Sequence, residues 1–311
     1  TLDQTELTLG RRETQQLTAA ISPANVDNQR VTWSSDDEKI ATVDQKGLVT
    51  AVAVGTTTIT VTTNAGGKTA KCTVRVVDNS KPTQDEDGYY LISSGIQLAW
   101  FRDEVNSGKA ELNARLTEDI DLSEVCGAEL GSWQPIGDWS YKYSDAYGAN
   151  ANYAGVFDGQ GRTIANLYLS EDDSKYTSTD HQGRALFGYC KGAAIKNLTV
   201  TGSVASNNRY TAGIVGYAQN NSLIENCHNK ANVTCTGTKY QYGLAGVAGY
   251  LSGSTVKNCS NSGTIHGVKG LVGGIVAEAA RGTRIEGCAN SGEVVMDGKD
   301  SKPYVGGIAG L

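Results

Sequence analysis

The chain has 311 residues, with 27 Lys and Arg against 33 Asp and Glu, for a formal net charge of −6. A mildly acidic balance without a basic tract disfavours binding to a phosphate backbone. No apolar run reaches bilayer-spanning length; the longest, Gly270–Ala280, is short and interrupted by glycine. No basic-then-apolar leader opens the chain, so a signal peptide is expected to be absent or removed.

Length allows two domains, and composition says where they part. Residues 1–80 hold 5 of the 38 glycines. The shift falls at Asp78-Asn-Ser-Lys-Pro-Thr-Gln-Asp-Glu-Asp87, a polar stretch that reads as a linker over 79–87. Before it, apolar and polar residues alternate with period two. Ile59 and Val61 alternate with Thr58, Thr60 and Thr62; Cys72, Val74 and Val76 alternate with Thr73 and Arg75. Turn residues separate these runs about every ten positions, which predicts a β-sandwich over 1–78. The run VTWSSDDEKIATVDQKGLVTAVAVGTTTITVTT from Val31, followed by AKCTVRVVD from Ala70, resembles the group 2 bacterial immunoglobulin-like domain. That resemblance implies a spacer or adhesive module in an extracellular setting, and no catalysis.

After the linker, Ser94 with Gln97 fits a capping box, and Leu98, Phe101 and Val105 share one face at helical spacing. A short helix is expected here, covering the first rung of a repeat region. Two blocks then alternate. The first is I-x-N followed by an apolar residue or cysteine, at Ile164, Ile195, Ile224, Val256 and Ile285. The second is a small-Gly-apolar block, seen in AGVFDG from Ala154, ALFGYC from Ala185, AGIVGY from Ala212, AGVAGY from Ala245, GGIVAE from Gly273 and GGIAGL from Gly306. Units of about thirty residues, poor in leucine and without a helical period, predict a right-handed parallel β-helix over 88–311 with two or three strands per turn. Like residues then stack about 4.8 Å apart. Cys227, Cys259 and Cys288 are expected in one inward file as an apolar stack, and Asn229, Asn261 and Asn290 in a second. Asn166, Asn197, Asn226 and Asn258 form a third, broken by Gly287. The stretches AGIVGYAQNNSLIENCHNKANV and AGVAGYLSGSTVKNCSNSGTI resemble the GLUG-type repeats of bacterial surface proteins. That resemblance implies a cell-envelope or secreted location and fixes no ligand. The Gly273 block departs from it, with Ala277-Glu278 in place of Gly-Tyr. The chain stops at Leu311, where another I-x-N block is due, so a fragment of a longer protein is expected.

The expected architecture is therefore all-β: an immunoglobulin-like β-sandwich, then a parallel β-helix with an N-terminal capping helix. Its chemistry is less legible. Asp119 with Asp121, Asp158, and Glu171 with Asp172 and Asp173 are the candidate carboxyl pairs for glycoside hydrolysis. They sit in strand-like or turn patterns that explain them structurally. His181, His228 and His266 are isolated, with no triad pattern and no zinc spacing. Asp36-Asp-Glu38 and Asp85-Glu-Asp87 lack a calcium-loop pattern. No cofactor and no metal is expected. Aromatic residues are more suggestive. Trp133, Trp139, Tyr141, Tyr143, Tyr147 and Tyr153 crowd the stretch 131–153, with Trp133 and Tyr153 expected to pack inward. Tyr210, Tyr240, Tyr242 and Tyr304 precede successive glycine blocks and are expected to line one edge. Trp139, Tyr141, Tyr143, Tyr147, Tyr210, Tyr240, Tyr242 and Tyr304 are thus the expected ligand-binding residues. The expected function is a monomeric, non-catalytic adhesion stalk for a carbohydrate or a host extracellular protein. The alternatives are a polysaccharide lyase or glycoside hydrolase on the same solenoid, or an accessory region of a larger secreted peptidase.

Overall fold

A computed structural model describes residues 1–23, 25, 28–77, 80–140, 151–171, 181–207, 209–235, 242–298 and 304–311, with only the backbone given for residues 139, 140, 181, 182 and 242. The chain divides into two units, Thr1–Lys81 and Pro82–Leu311.

The first unit is a sandwich of two sheets. Strands β1 (Glu6–Gly10), β2 (Thr14–Gln16), β3 (Val31–Ser35), β4 (Ala41–Val43), β5 (Leu48–Ala51), β6 (Gly55–Thr63) and β7 (Thr69–Val77) pair in the orders β1-β7-β6-β3 and β2-β5-β4. The period-two pattern decides which residues enter the core. Cys72, Val74 and Val76 are buried along β7 while Thr73 and Arg75 are exposed. Trp33, Ile59, Val61 and Val49 complete the contact from the other strands. Each such side chain contributes on the order of 2 kcal/mol by leaving water. Gly47, at φ +88°, turns the chain under Trp33: a Cβ there would stand 2.8 Å from Cζ2 of that ring and 2.6 Å from the Leu17 carbonyl oxygen.

The second unit is a parallel β-solenoid of about 4 turns. Rungs begin before the I-x-N repeats do. Ala114, Phe157, Ile195, Ile224, Val256 and Ile285 pair one after another in register and form a column. The first five are fully buried or nearly so. A turn holds more strands than the expected two or three: one comprises Thr255–Lys257, Ser260–Asn261, Ile265–Gly267, Gly270–Gly273 and Val276–Ala279. One reason is the asparagine of I-x-N. Asn166, Asn197, Asn226 and Asn258 have φ of 60°, 56°, 53° and 52°; the strand runs on through the first three and is interrupted at Asn258. Gly287 takes the same position in the next turn at φ 61°, so the break in the asparagine file preserves the backbone. Asn226 donates to Asn197 at 3.1 Å, and Asn197 donates to Asp158 at 2.9 Å.

Inside, Cys227, Cys259 and Cys288 stand in single file below Leu198. Leu198 and Cys227 are register partners, and Cys227 N–H points at Cys259 Sγ, 3.4 Å away. Each thiol reaches a carbonyl of the preceding rung: Cys227 to Ile195, Cys259 to Ile224, Cys288 to Val256. All seven cysteines are free thiols. Beside this file Asn229 donates to Asn261, and Asn261 to Asn290, both at 2.7 Å. Asn229 and Asn261 are 0% and 1% exposed, so the amide ladder satisfies groups that burial would otherwise penalise by about 1–3 kcal/mol each. Outside, Arg115, Asp158, Lys196, Glu225, Lys257 and Glu286 occupy successive rungs at one register position, so charge alternates along the column. Lys257 Nζ lies 3.0 Å from Glu225 Oε1.

The first rung is closed by helix α1, Gly95–Asn106. Gln97 N–H donates to Ser94 Oγ, but the Gln97 amide oxygen accepts from Ser93 N–H, one residue earlier than a strict capping box. Leu98, Phe101 and Val105 are fully buried against the first rungs. Thr83–Gln84, within the stretch expected as a linker, pairs antiparallel with Tyr90–Leu91. The turns differ in length at one recurrent place, after the third face-forming strand and before the glycine block: residues 206–209, 236–241, 268–269 and 297–303.

Candidate aromatic binding face

Most expected ligand residues fall outside what the structure describes. Tyr141, Tyr143, Tyr147 and Tyr240 lie outside the described residues, and only the backbone is given for Trp139 and Tyr242. Trp133 and Tyr153 are fully buried: the Trp133 indole donates to the Leu186 carbonyl and the Tyr153 hydroxyl to the Leu112 carbonyl. The expected single edge of Tyr210, Tyr240, Tyr242 and Tyr304 needs correction. Tyr210, Gly243, Leu271 and Tyr304 share one column, whereas Tyr242 pairs with Gly270, one step out of it. Register is counted back from the glycine block, and Tyr242 stands one residue further from it than Tyr210 does.

The aromatic row that does form comes from the other side of the glycine block. Strands Phe187–Lys191, Val215–Gln219, Ala248–Ser252 and Val276–Ala279 stack in order, with Tyr189, Tyr217, Tyr250 and Glu278 as register partners. Phe187, Cys190, Val215 and Ala218 lie in the core, Tyr217 and Tyr250 are partly exposed, and Tyr189 is only 6% exposed, so the accessible part of the row is Tyr217 and Tyr250. Tyr217 and Tyr250 stack with centroids 4.5 Å apart and planes at 21°. Tyr189 meets Tyr217 edge-on at 5.5 Å. Tyr210 joins from the strand before the turn, at 5.5 Å from Tyr217 and 4.9 Å from Tyr250. It reaches Tyr250 across Gly243, where a Cβ would stand 3.0 Å from Tyr210 Cδ1.

The hydroxyls are linked as well. The Gln219 amide donates to the Tyr189 hydroxyl. Tyr217 and Tyr250 hydrogen-bond each other, and the Tyr210 hydroxyl hydrogen-bonds Glu278. Burial pushes the Tyr210 phenol up to about 12, helped by the Glu278 charge. Burial, and then its tyrosine neighbours, push Tyr217 up too. These phenols are protonated throughout the physiological range. Their hydroxyls can both donate and accept hydrogen bonds and do not serve as bases there. Because Tyr217 and Tyr250 cover each other's faces, the row offers ring edges and hydroxyls, with a carboxylate at its end.

The sequence signal for this row was present: the tyrosine of G-x-x-G-Y recurs at Tyr217 and Tyr250, and Tyr189 ends the matching FGY. It read as part of a structural turn pattern. The candidate carboxylates are occupied otherwise. Asp119 accepts from Thr163 N–H, Asp158 from Gln160 N–H, and Asp121 from Ser123 N–H and Asn166. The Asn166 amide holds the Asp121 carboxyl below its ordinary value. Asp85 and Asp87 pair with Arg115. His228 contacts Ser260, and His266 pairs with Asp297. Asp172 and Asp173 lie outside the described residues, and His181 is described by its backbone alone. Among the described residues no three His, Cys, Asp or Glu side chains gather as a metal site. No helix among them is long and apolar enough to cross a membrane.

These features define an immunoglobulin-like module and a parallel solenoid of stacked repeats. Residues 1–74 match the bacterial Ig-like domain (group 2), and residues 207–234 and 240–265 match the GLUG motif. A lacto-N-biosidase of Bifidobacterium bifidum is 49% identical over 75 residues, which cover 24% of this chain and 7% of that protein; the shared part is the Ig-like one. An uncharacterized protein of Clostridium acetobutylicum is 46% identical over 122 residues, 39% of this chain and 11% of that protein. The chain thus spans about a tenth or less of these relatives. A solved structure from Bacteroides ovatus, named provisionally as an immunoglobulin A1 protease, is similar at TM-score 0.47 and 20% identity, covering 74% of this chain and 73% of that one.

Proposed function

We propose that this chain is a non-catalytic part of a bacterial cell-surface or secreted protein, in which the solenoid is a rigid stalk that binds glycan. The observation that carries the reading is the row Tyr189, Tyr217 and Tyr250, joined by Tyr210 on one face of the stack. A row with rung spacing fits an extended, repeating ligand, and linked phenol hydroxyls suit sugar hydroxyls. Modules of the Ig-like and GLUG kinds are typical of surface or secreted proteins, which supports the location. The Ig-like segment shared with a lacto-N-biosidase agrees with a carbohydrate setting.

The test is a glycan array probed with the whole chain, followed by titration of any hit against Tyr217→Leu and Tyr250→Leu. Binding that weakens about tenfold or more in both variants supports the reading. Binding unchanged in both removes the row from the site. Release of reducing ends from a bound polysaccharide favours the hydrolase or lyase alternative.

A further inference from the structure

The tyrosine row does not repeat to its end. Three rungs present Tyr189, Tyr217 and Tyr250, and the fourth presents Glu278 at the same register position. The substitution puts an anionic side chain where the pattern would leave the face neutral. Glu278 is partly exposed, is the register partner of Tyr250, and raises the pKa of the Tyr210 phenol. Among the described residues no lysine, arginine or histidine forms an ion pair with it. A carboxylate has about four lone-pair sites, so one phenol leaves most of its capacity open. A fixed anion flanked by aromatic rings is the arrangement that favours an ammonium group over a neutral amide.

We infer that the Glu278 end of the row selects an amine-bearing sugar, a deacetylated amino sugar within a longer glycan, with the ammonium held by Glu278 and the neighbouring sugar rings lying along Tyr250 and Tyr217. The inference rests on the glycan-binding reading and adds charge selectivity to it. The neutral part of the ligand is held by the tyrosines. The ammonium forms a charge-assisted hydrogen bond with the carboxylate, which an N-acetyl group at the same position cannot form. Gly243 is part of the device, because a side chain there would push Tyr210 off Tyr250 and away from Glu278.

Titration calorimetry of the whole chain tests this with three probes: a glucosamine hexasaccharide, its fully N-acetylated counterpart, and a hexalysine peptide. The expected result is that the amine oligosaccharide binds roughly tenfold tighter than the N-acetylated one. Glu278→Gln should abolish that difference. Glu278→Tyr, which restores the residue of the three preceding rungs, should do the same, and gives a second readout if one variant folds poorly. Equal binding of both oligosaccharides, indifferent to Glu278→Gln, overturns the charge selectivity and leaves the glycan reading in place. Binding of hexalysine alone, sensitive to Glu278→Gln, assigns this end of the row to cationic peptide and overturns the inference. No binding of any probe overturns the inference and leaves the glycan reading to the array.

Discussion

Gly246 lies directly against the side chain of Asn261. A Cβ on Gly246 would collide with Cγ and Oδ1 of that asparagine and stand 2.5 Å from the Gly274 carbonyl oxygen. Gly213 meets Asn229, and Gly274 meets Asn290, in the same way. The glycine of each turn is therefore the wall on which the buried amide ladder rests. Gly246→Ala should destabilise the solenoid by about 2–3 kcal/mol, through overpacking and a disturbed ladder. Gly307→Ala, with nothing within 4 Å of the added Cβ, should stay within about 0.5 kcal/mol of the parent. Urea denaturation of the two variants, followed by a solenoid probe, checks the contrast; equal midpoints would contradict it.

The bend at I-x-N makes a second comparison. Asn226 sits at φ 53°, a conformation that costs an ordinary L-residue about 1–2 kcal/mol. Both Asn226→Gly and Asn226→Ala lose the hydrogen bond to Asn197. The glycine variant should nevertheless be the more stable by about 1 kcal/mol, as Gly287 two turns on suggests. Thermal melting of the pair measures this directly.

High pH should loosen the solenoid. Hydrogen bonding to Cys227 and burial push the Cys259 thiol up to about 12, and burial with the Glu278 charge pushes the Tyr210 phenol up to about 12. Both groups hold their protons more tightly folded than unfolded. Their contribution is fully present below the unfolded values, about 9 for the thiol and about 10 for the phenol, and is lost as pH rises toward 12. Denaturation midpoints should fall between pH values of about 9 and about 11, and less steeply in Cys259→Ala and Tyr210→Phe. A flat profile would refute the assignment. The same raised value predicts that Cys259 resists alkylation at neutral pH until the rungs open.

Charge alternation along Arg115, Asp158, Lys196, Glu225, Lys257 and Glu286 is a register device. Lys257→Glu would place like charges on three successive rungs. It should lower the melting temperature more than Lys257→Gln does. That excess should shrink as salt is raised from about 0.05 to about 1 M, because exposed charges are screened. An excess independent of salt would point to packing instead.

The stacking of Cys227, Asn229 and their partners was legible because the same residue recurs at a fixed interval, and in-register strands place equal positions over one another. The rung at Ala114 carries no repeated residue, and the next one is misaligned by its sequence: AGVFDG resembles the glycine blocks and Ile164 the I-x-N series, yet Phe157 pairs with Ile195 and Ile164 with Val200. The edge drawn through Tyr210, Tyr242 and Tyr304 failed because it was counted across segments of unequal length. The row at Tyr189, Tyr217 and Tyr250 lies on the constant side of the glycine block, and there counting would have succeeded. What sequence alone did not supply is that Gly243 makes room for Tyr210 to close the row.

The strand ends Ala205, Cys235, Gly267 and Met296 and the strand starts Tyr210, Tyr242, Gly270 and Tyr304 mark a single corner of the stack, and the number of residues between each end and the next start varies from turn to turn. Lengthening a loop whose ends are already fixed costs little, growing only with the logarithm of its size. A lineage can therefore splice new material into that corner, turn after turn, and change what the column displays without renumbering a single interior contact.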